Sequence, residues 1–218
     1  MPRTDKSKQT KYLDQTFGLK DPLLKKIQKA VESEGVKRMQ ISAHEARILQ
    51  FLVKVSKAKK VIEIGTLYAY SSFHIAKALP HDGKIWTIDH NKNRHRLSKK
   101  ILKNSPDFKK ISWHEGSALE QLKVLESFAP FDMIFIDADK EPYLKYLDWA
   151  EKHLKKTGLL VADNTFLFGG VYGESDRDLK VETIKTMQKF NIRLSNSKLW
   201  KGALLPTKEG MTVSIKQF

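Results

Sequence analysis

Between residues 60 and 164 short apolar runs alternate with stretches of helical period, and that alternation limits the fold more than any other feature. KVIEIG (60–65), KIWTID (84–89), KISWHEG (110–116), FDMIFID (131–137) and GLLVADN (158–164) each predict a strand. Between them SSFHIAKAL (71–79), RHRLSKKIL (94–102), ALEQLKVLESF (118–128) and YLKYLDWAEKHL (143–154) predict helices. Strands joined through helices imply right-handed crossovers and a mainly parallel sheet with helices on both faces. A helix near 178–189 then precedes two runs, about 198–205 and 211–216, joined by PTKEG, which suit an antiparallel hairpin. The expectation is an α/β fold, seven strands in all, mainly parallel and closed by that hairpin.

Two helices are predicted ahead of the first strand. Leu23, Leu24, Ile27 and Val31 share one face over 22–34, with Pro22 in the first turn. Ser42, with Glu45 three residues on, predicts the N-cap of a helix carrying Ile48, Leu49, Leu52 and Val53. A chain of 218 residues can bury a substantial core, so 1–218 is read as one domain: N-terminal helices over 1–57 and an α/β core over 58–218.

Composition removes several classes. Hydrophobic residues make up 40% and charged residues 30%, as in soluble globular proteins. No apolar run approaches the roughly 18 residues of a membrane span. The opening MPRTDKSKQTKYLDQ lacks the apolar centre of an export signal, so a cytoplasmic protein is expected. The absence of cysteine excludes disulfides, thiolate zinc sites and a cysteine nucleophile. The net charge of +15 suits a polyanion such as RNA, an anionic substrate, or a lysine-rich solvated surface. Lysine greatly outnumbers arginine, and the basic residues are dispersed: Lys25, Lys26 and Lys29, then Lys92 to Lys110, then Lys180 to Lys201.

The strand ends carry the chemistry. Open α/β sheets bind ligands beyond the carboxyl ends of their strands, and there stand Glu63 and Gly65, Asp89, Gly116, Asp137 to Lys140, and Asp163 with Asn164. The turn after the first strand leads into a helix starting near Ser71, whose free N–H groups suit an anionic ligand end. Asp89 can take both hydroxyls of a ribose. With Gly65 followed by Thr66, Leu67, Tyr68 and Ala69, a glycine-rich pyrophosphate cradle is lacking, and S-adenosylmethionine fits better than a dinucleotide. Asp137, Asp163 and Asn164 offer two carboxylates and an amide carbonyl, an oxygen-only set suited to Mg²⁺. The same residues also suit a turn opener and a helix cap. Lys140 is either a surface lysine or a general base whose pKa a dry pocket lowers.

Together VIEIGTLYAYSS, FDMIFIDADKEPYLKYL, GLLVADN and LLPTKEGMTVSIK resemble the cation-dependent O-methyltransferases, the family of the caffeoyl-coenzyme A and catechol enzymes and their small bacterial relatives. The resemblance runs from about Met39 to Lys216, and RMQISAHEARILQFL is similar to the family's entry helix. It implies a Rossmann-like class I methyltransferase, with Asp137, Asp163 and Asn164 as metal ligands (Mg²⁺, or Mn²⁺ or Ca²⁺) and Lys140 as catalytic base. It implies adenosyl-cofactor contacts at Glu63, Gly65, Thr66, Ser71, Asp89, Gly116, Ser117, Ala118, Asp137 and Asp139, with Ala118 near the adenine. N-terminal helices that cover the acceptor site and a homodimer are implied as well.

The chain departs from the family at Ala69, where glycine is usual, at Leu67 and Tyr68, over Thr165 to Gly170, and at Lys208-Glu209 in the final turn. In the family the first of these borders the cofactor's methionine end, where the added methyl of Ala69 tightens the backbone, while Thr165 to Gly170 and Lys208-Glu209 border the acceptor pocket and leave the acceptor open. A catechol-like small molecule is the first expectation, with Phe166, Phe168, Tyr172 and Trp200 as an aromatic wall or, equally, as ordinary core or dimer contacts. The second is 5-hydroxyuridine in tRNA, whose hydroxyl and carbonyl form the same chelate; the basic surface favours it. A non-catalytic cofactor binder would need neither the three ligands nor Lys140.

Overall fold

The computed structural model describes residues 8–35 and 39–218. Helices α1 (Lys8–Phe17), α2 (Pro22–Ser33) and α3 (Ala43–Val55) come first. There follow β1 (Lys60–Ile64), α4 (Tyr70–Ala78), β2 (Lys84–Asp89), α5 (Lys92–Leu102), β3 (Ile111–Glu115) and α6 (Ala118–Leu125). The chain continues with β4 (Phe131–Ile136), α7 (Tyr143–His153), β5 (Leu154–Asp163), α8 (Val181–Leu194), β6 (Trp200–Leu205) and β7 (Met211–Lys216). The seven strands form one sheet in the order β3-β2-β1-β4-β5-β7-β6. β2 with β3, β1 with β4 and β4 with β5 pair in parallel, while β7 runs antiparallel to both β5 and β6. This is the mainly parallel sheet with a terminal hairpin that the alternation predicts.

Two compact units make up the chain. The first takes in the described residues up to Lys59 and Thr66–Ser117. Its helices start where local chemistry places them. The Asp21 side chain accepts from Leu23 N–H at 2.8 Å ahead of Pro22. Ser42 and Glu45 close the expected capping box, the Ser42 N–H donating to the Glu45 carboxylate at 2.8 Å. Leu24, Ile27 and Val31 of α2 and Ala46, Leu49 and Val53 of α3 are buried as their spacing predicts.

The second unit comprises Lys60–Gly65 and Ala118–Phe218. Met133 to Ile136 of β4 and Leu160 to Ala162 of β5 are fully buried, as parallel strands covered on both faces require. Tyr143 of α7 packs edge-on against Phe190 of α8, ring centroids 5.2 Å apart.

Three boundaries differ from expectation. Helix α1 was not anticipated. α8 extends to Leu194 because Met187, Phe190 and Leu194 continue one buried face at helical spacing. β5 begins at Leu154: Thr157 at φ 66 and Gly158 make the expected break, yet Leu154 already pairs with Phe131 across a register shift.

Candidate functional site

In the second unit the parallel register sets the acids side by side. Ile64 pairs with Ile136, and Ile136 pairs with Ala162. One residue further on, β4 delivers Asp137 and β5 delivers Asp163, on strands about 4.8 Å apart. The Asp137 N–H donates to Ile64 O at 2.9 Å, which ties the end of β4 to β1. Asp137 is half-buried, whereas Asp163 is 1% exposed and Asn164 4%. Asn164 holds a left-handed φ of 58, which asparagine tolerates better than most residues. The backbone beyond it is fixed by two bonds: Thr165 N–H donates to Gly210 O at 3.0 Å and Phe166 N–H to Glu209 O at 2.9 Å.

One atom bears directly on a cation. The Asn164 Oδ1 is buried and accepts no hydrogen bond among the described residues. A buried amide oxygen left so costs about 1–3 kcal/mol, and a cation would remove that cost. No group of three or more His, Cys, Asp or Glu suited to a metal occurs among the described residues. The predicted trio differs from such a group by including an amide. Two carboxylates and one amide oxygen, all hard donors, fit Mg²⁺, Mn²⁺ or Ca²⁺.

Lys140 lies at the same strand ends. Its Nζ donates to Asp163 O at 3.0 Å and to the Tyr143 hydroxyl, and sits 4.4 Å from the Tyr143 ring centroid. Tyr143 is wholly buried, and its hydroxyl reaches Asp163 O at 3.1 Å and Ile136 O at 3.3 Å. Sequence reasoning placed Lys140 but gave Tyr143 no role. The signal is present in D-K-x-x-Y, because a turn ahead of the helix, closed by the Tyr143 N–H donating to Lys140 O at 3.2 Å, brings residues three apart together. Asp139 is exposed; its charge, after burial, helps push the Tyr146 phenol up to about 12. Glu63, 0% exposed, is the one carboxylate in β1 and lies between the buried Ile62 and Ile64.

The expected aromatic wall is smaller than predicted. Trp200 belongs to the core: it is 0% exposed, its Nε1 donates to Glu151 at 3.3 Å, and its ring meets Phe218 edge-on. Phe166 and Tyr172 do pair, T-shaped at 5.6 Å, and Phe168 lies under the Arg177 guanidinium at 3.3 Å.

The first unit holds the predicted nucleoside end. Asp89 closes β2 with its side chain 8% exposed. Its Oδ2 accepts from Leu67 N–H at 2.8 Å and its Oδ1 from Asn91 N–H at 2.9 Å, while its carbonyl accepts from Gly116 N–H at 3.0 Å. A carboxylate has about four acceptor positions, so each oxygen retains capacity for one further donor. Gly116 sits at φ 129, a course that favours glycine. Ser71 lies in the first turn of α4, which has no side-chain cap, so its early N–H groups suit an anionic ligand end. Ala69, where the family has glycine, keeps the left-handed conformation at φ 62. The Thr66 hydroxyl turns inward, 2.6 Å from Thr87 Oγ1 and 3.0 Å from His95 Nε2, which leaves its backbone for the expected cofactor contact. Ser117 is exposed, and Ala118 begins α6 in the second unit.

Known proteins are similar to most of the chain. A catechol O-methyltransferase of Niastella koreensis is 31% identical over 185 residues, 84% of this chain and 82% of the relative. A caffeoyl-CoA O-methyltransferase of Medicago sativa is 32% identical, covering 80% of this chain and 74% of its own. Among solved structures, the O-methyltransferase TomG of Streptomyces achromogenes, in complex with SAM, superposes with a TM-score of 0.88 at 27% identity and full coverage of both chains. A profile described as O-methyltransferase matches residues 14–217, and with these relatives it establishes that the chain belongs to the O-methyltransferase family.

Proposed function

We propose that this chain transfers the methyl group of S-adenosylmethionine to a hydroxyl of a catechol-like acceptor with the help of a divalent cation. The observation that carries the metal part is the buried Asn164 Oδ1 without a hydrogen-bond partner, next in sequence to the buried Asp163. Asp137, Asp163 and Asn164 would hold the cation, which when bound lowers the pKa of an acceptor hydroxyl. Lys140, held by Tyr143 and the Asp163 carbonyl, would receive that proton at Nζ. Asp89 takes the ribose hydroxyls with its remaining acceptor capacity, and Glu63, Gly65, Ser71, Gly116, Ser117, Ala118 and Asp139 are assigned to the same cofactor. The cofactor's sulfonium supplies the driving force, so alignment and exclusion of water are left to the protein.

The acceptor class rests on relatives named for catechol and caffeoyl-CoA and on the Phe166–Tyr172 pair. A homodimer belongs to the reading through the family resemblance alone, a single domain over 1–218 through chain length, and a cytoplasmic location through composition. A tRNA acceptor is favoured by one feature: Lys92, Arg96, Lys100 and Lys103 follow one exposed stripe of α5 and its cap, with no acid in the helix. The test is methyl transfer from labelled S-adenosylmethionine, with Mg²⁺ and with chelator, to a caffeate-type catechol and to tRNA bearing 5-hydroxyuridine. Chelator-sensitive labelling of the catechol is expected. Labelling of tRNA alone would replace the acceptor, and labelling indifferent to chelator would overturn the metal assignment.

A further inference from the structure

A buried polar chain runs through the first unit. The His95 ring, on α5, is 0% exposed and lies edge-on to Trp113, 5.3 Å between centroids. Its Nε2 is 3.0 Å from Thr66 Oγ1, which is 2.6 Å from Thr87 Oγ1, which in turn is 3.3 Å from Ser72 Oγ. Thr66, Thr87 and Ser72 are all buried. The loop that Thr66 opens is costly in itself, because Leu67 at φ 49 and Ala69 at φ 62 both hold left-handed backbone. Such a course persists only where the surroundings over-determine it. Its product is the Leu67 N–H directed at Asp89 Oδ2, 2.8 Å away.

Burial first lowers the His95 pKa, against the pull of Asp89 and Glu115 and together with Lys99 and His114, so the ring is neutral at neutral pH. A neutral imidazole has one N–H and one bare nitrogen. Nδ1 lies 3.9 Å from the Glu115 carboxylate, beyond hydrogen-bond distance, so among the described residues the ring's hydrogen bond is the one between Nε2 and the Thr66 hydroxyl, which either tautomer can make. The Thr87 and Ser72 hydroxyls extend the chain from Thr66.

We propose that His95 is a positioning residue for cofactor binding: through its hydrogen bond with the Thr66 hydroxyl it holds the 66–69 loop in the course that presents the Leu67 amide to Asp89. The inference rests on the reading that Asp89 holds the ribose. His95 is placed to act on affinity and to leave the chemical step alone. His95→Phe would keep a ring in place but remove the hydrogen bond; His95→Gln would restore a hydrogen-bonding group close to the Nε2 position.

The test is calorimetric binding of S-adenosylhomocysteine in chelator-containing buffer, with KM and kcat for S-adenosylmethionine beside it. For His95→Phe and Thr66→Val the dissociation constant is expected to rise about tenfold, the equivalent of one lost hydrogen bond. The His95→Phe variant should keep kcat within about twofold, and His95→Gln should recover most of the lost affinity. Asp89→Ala separates the two levels of inference. If it weakens binding while His95→Phe and Thr66→Val bind like the parent, the positioning role is overturned and the Asp89 reading stands. If Asp89→Ala also binds like the parent, the ribose reading fails and takes this inference with it. A fall in melting temperature with no change in affinity overturns it as well, by making His95 a purely structural residue. Should His95→Phe not fold, Thr87→Val interrupts the same chain one hydroxyl earlier and is read by the same binding measurement.

Discussion

Replacing Gly65 by alanine tests whether the ends of β1 and β4 are held at the distance the site needs. A Cβ at this position would lie 1.9 Å from the Asp137 carbonyl oxygen and 2.8 Å from its carbonyl carbon. Comfortable non-bonded separation is about 3.5 Å, so one strand end must retreat by roughly 1.5 Å. The obstacle is backbone, bound through Asp137 N–H to Ile64 O at 2.9 Å, and no side-chain rotation relieves it. Gly65 also sits at φ 101, where an L-residue is strained. The left-handed penalty of about 1–2 kcal/mol and an overpacking cost of about 1–3 kcal/mol together predict a loss of about 2–5 kcal/mol. For a chain of this length that is a fall of about 4–20 °C in melting temperature. Gly35→Ala is the internal control, since it has φ +70 and an added Cβ would meet nothing within 4 Å among the described residues. It should show the conformational penalty alone. Urea denaturation of both variants, with methyl transfer measured on the folded fraction, gives the comparison. Equal losses for Gly65→Ala and Gly35→Ala would refute the close-approach reasoning, and full activity in Gly65→Ala would show that the position of Asp137 is not critical.

Ala69→Gly removes a left-handed alanine at φ 62; a gain of about 1 kcal/mol, or about 2–4 °C, is expected by calorimetry, and a fall would show that the buried methyl contributes more than the strain costs. His74 supplies a pH dependence. It is 0% exposed, both ring nitrogens lack partners among the described residues, and burial, reinforced by Arg47 and Lys77, lowers its pKa to about 4. Its stabilising effect is therefore complete above the ordinary histidine value of about 6.5 and declines as pH falls toward 4, because the unfolded chain takes up the proton first. Between pH 7 and 5 the parent should lose about 2 kcal/mol that His74→Phe does not lose, in parallel urea titrations; identical acid slopes would refute a neutral buried His74.

How far the sequence reveals this molecule depends on the range over which each determinant acts. Strand and helix order, the Ser42–Glu45 capping box and the terminal hairpin are legible because each rests on period or on neighbours a few residues apart. The pairing of Asp137 with Asp163 is inferable because a parallel sheet aligns its carboxyl ends. Trp200 was ambiguous since an aromatic in a strand looks the same facing a ligand or a core; only Glu151, 49 positions earlier, resolves it. The resemblance assigns Thr66 to the cofactor and says nothing of its hydroxyl, which is engaged by Thr87 and His95, 21 and 29 positions away. Such long-range partners leave no local mark.

Ala69 stands where the family usually has glycine, in the loop that presents the Leu67 N–H to Asp89. The conformation that glycine adopts freely is still present with alanine, at φ 62, so the backbone course has been kept at a cost of about 1–2 kcal/mol. Something must hold it there. In this chain the buried hydroxyls and the His95 ring around Thr66 are in position to do so. Ala69→Gly combined with His95→Phe then becomes a coupled pair: relieving the strain should reduce the affinity lost at His95. Independent effects of the two substitutions on S-adenosylhomocysteine binding would mean that the loop is fixed by other contacts.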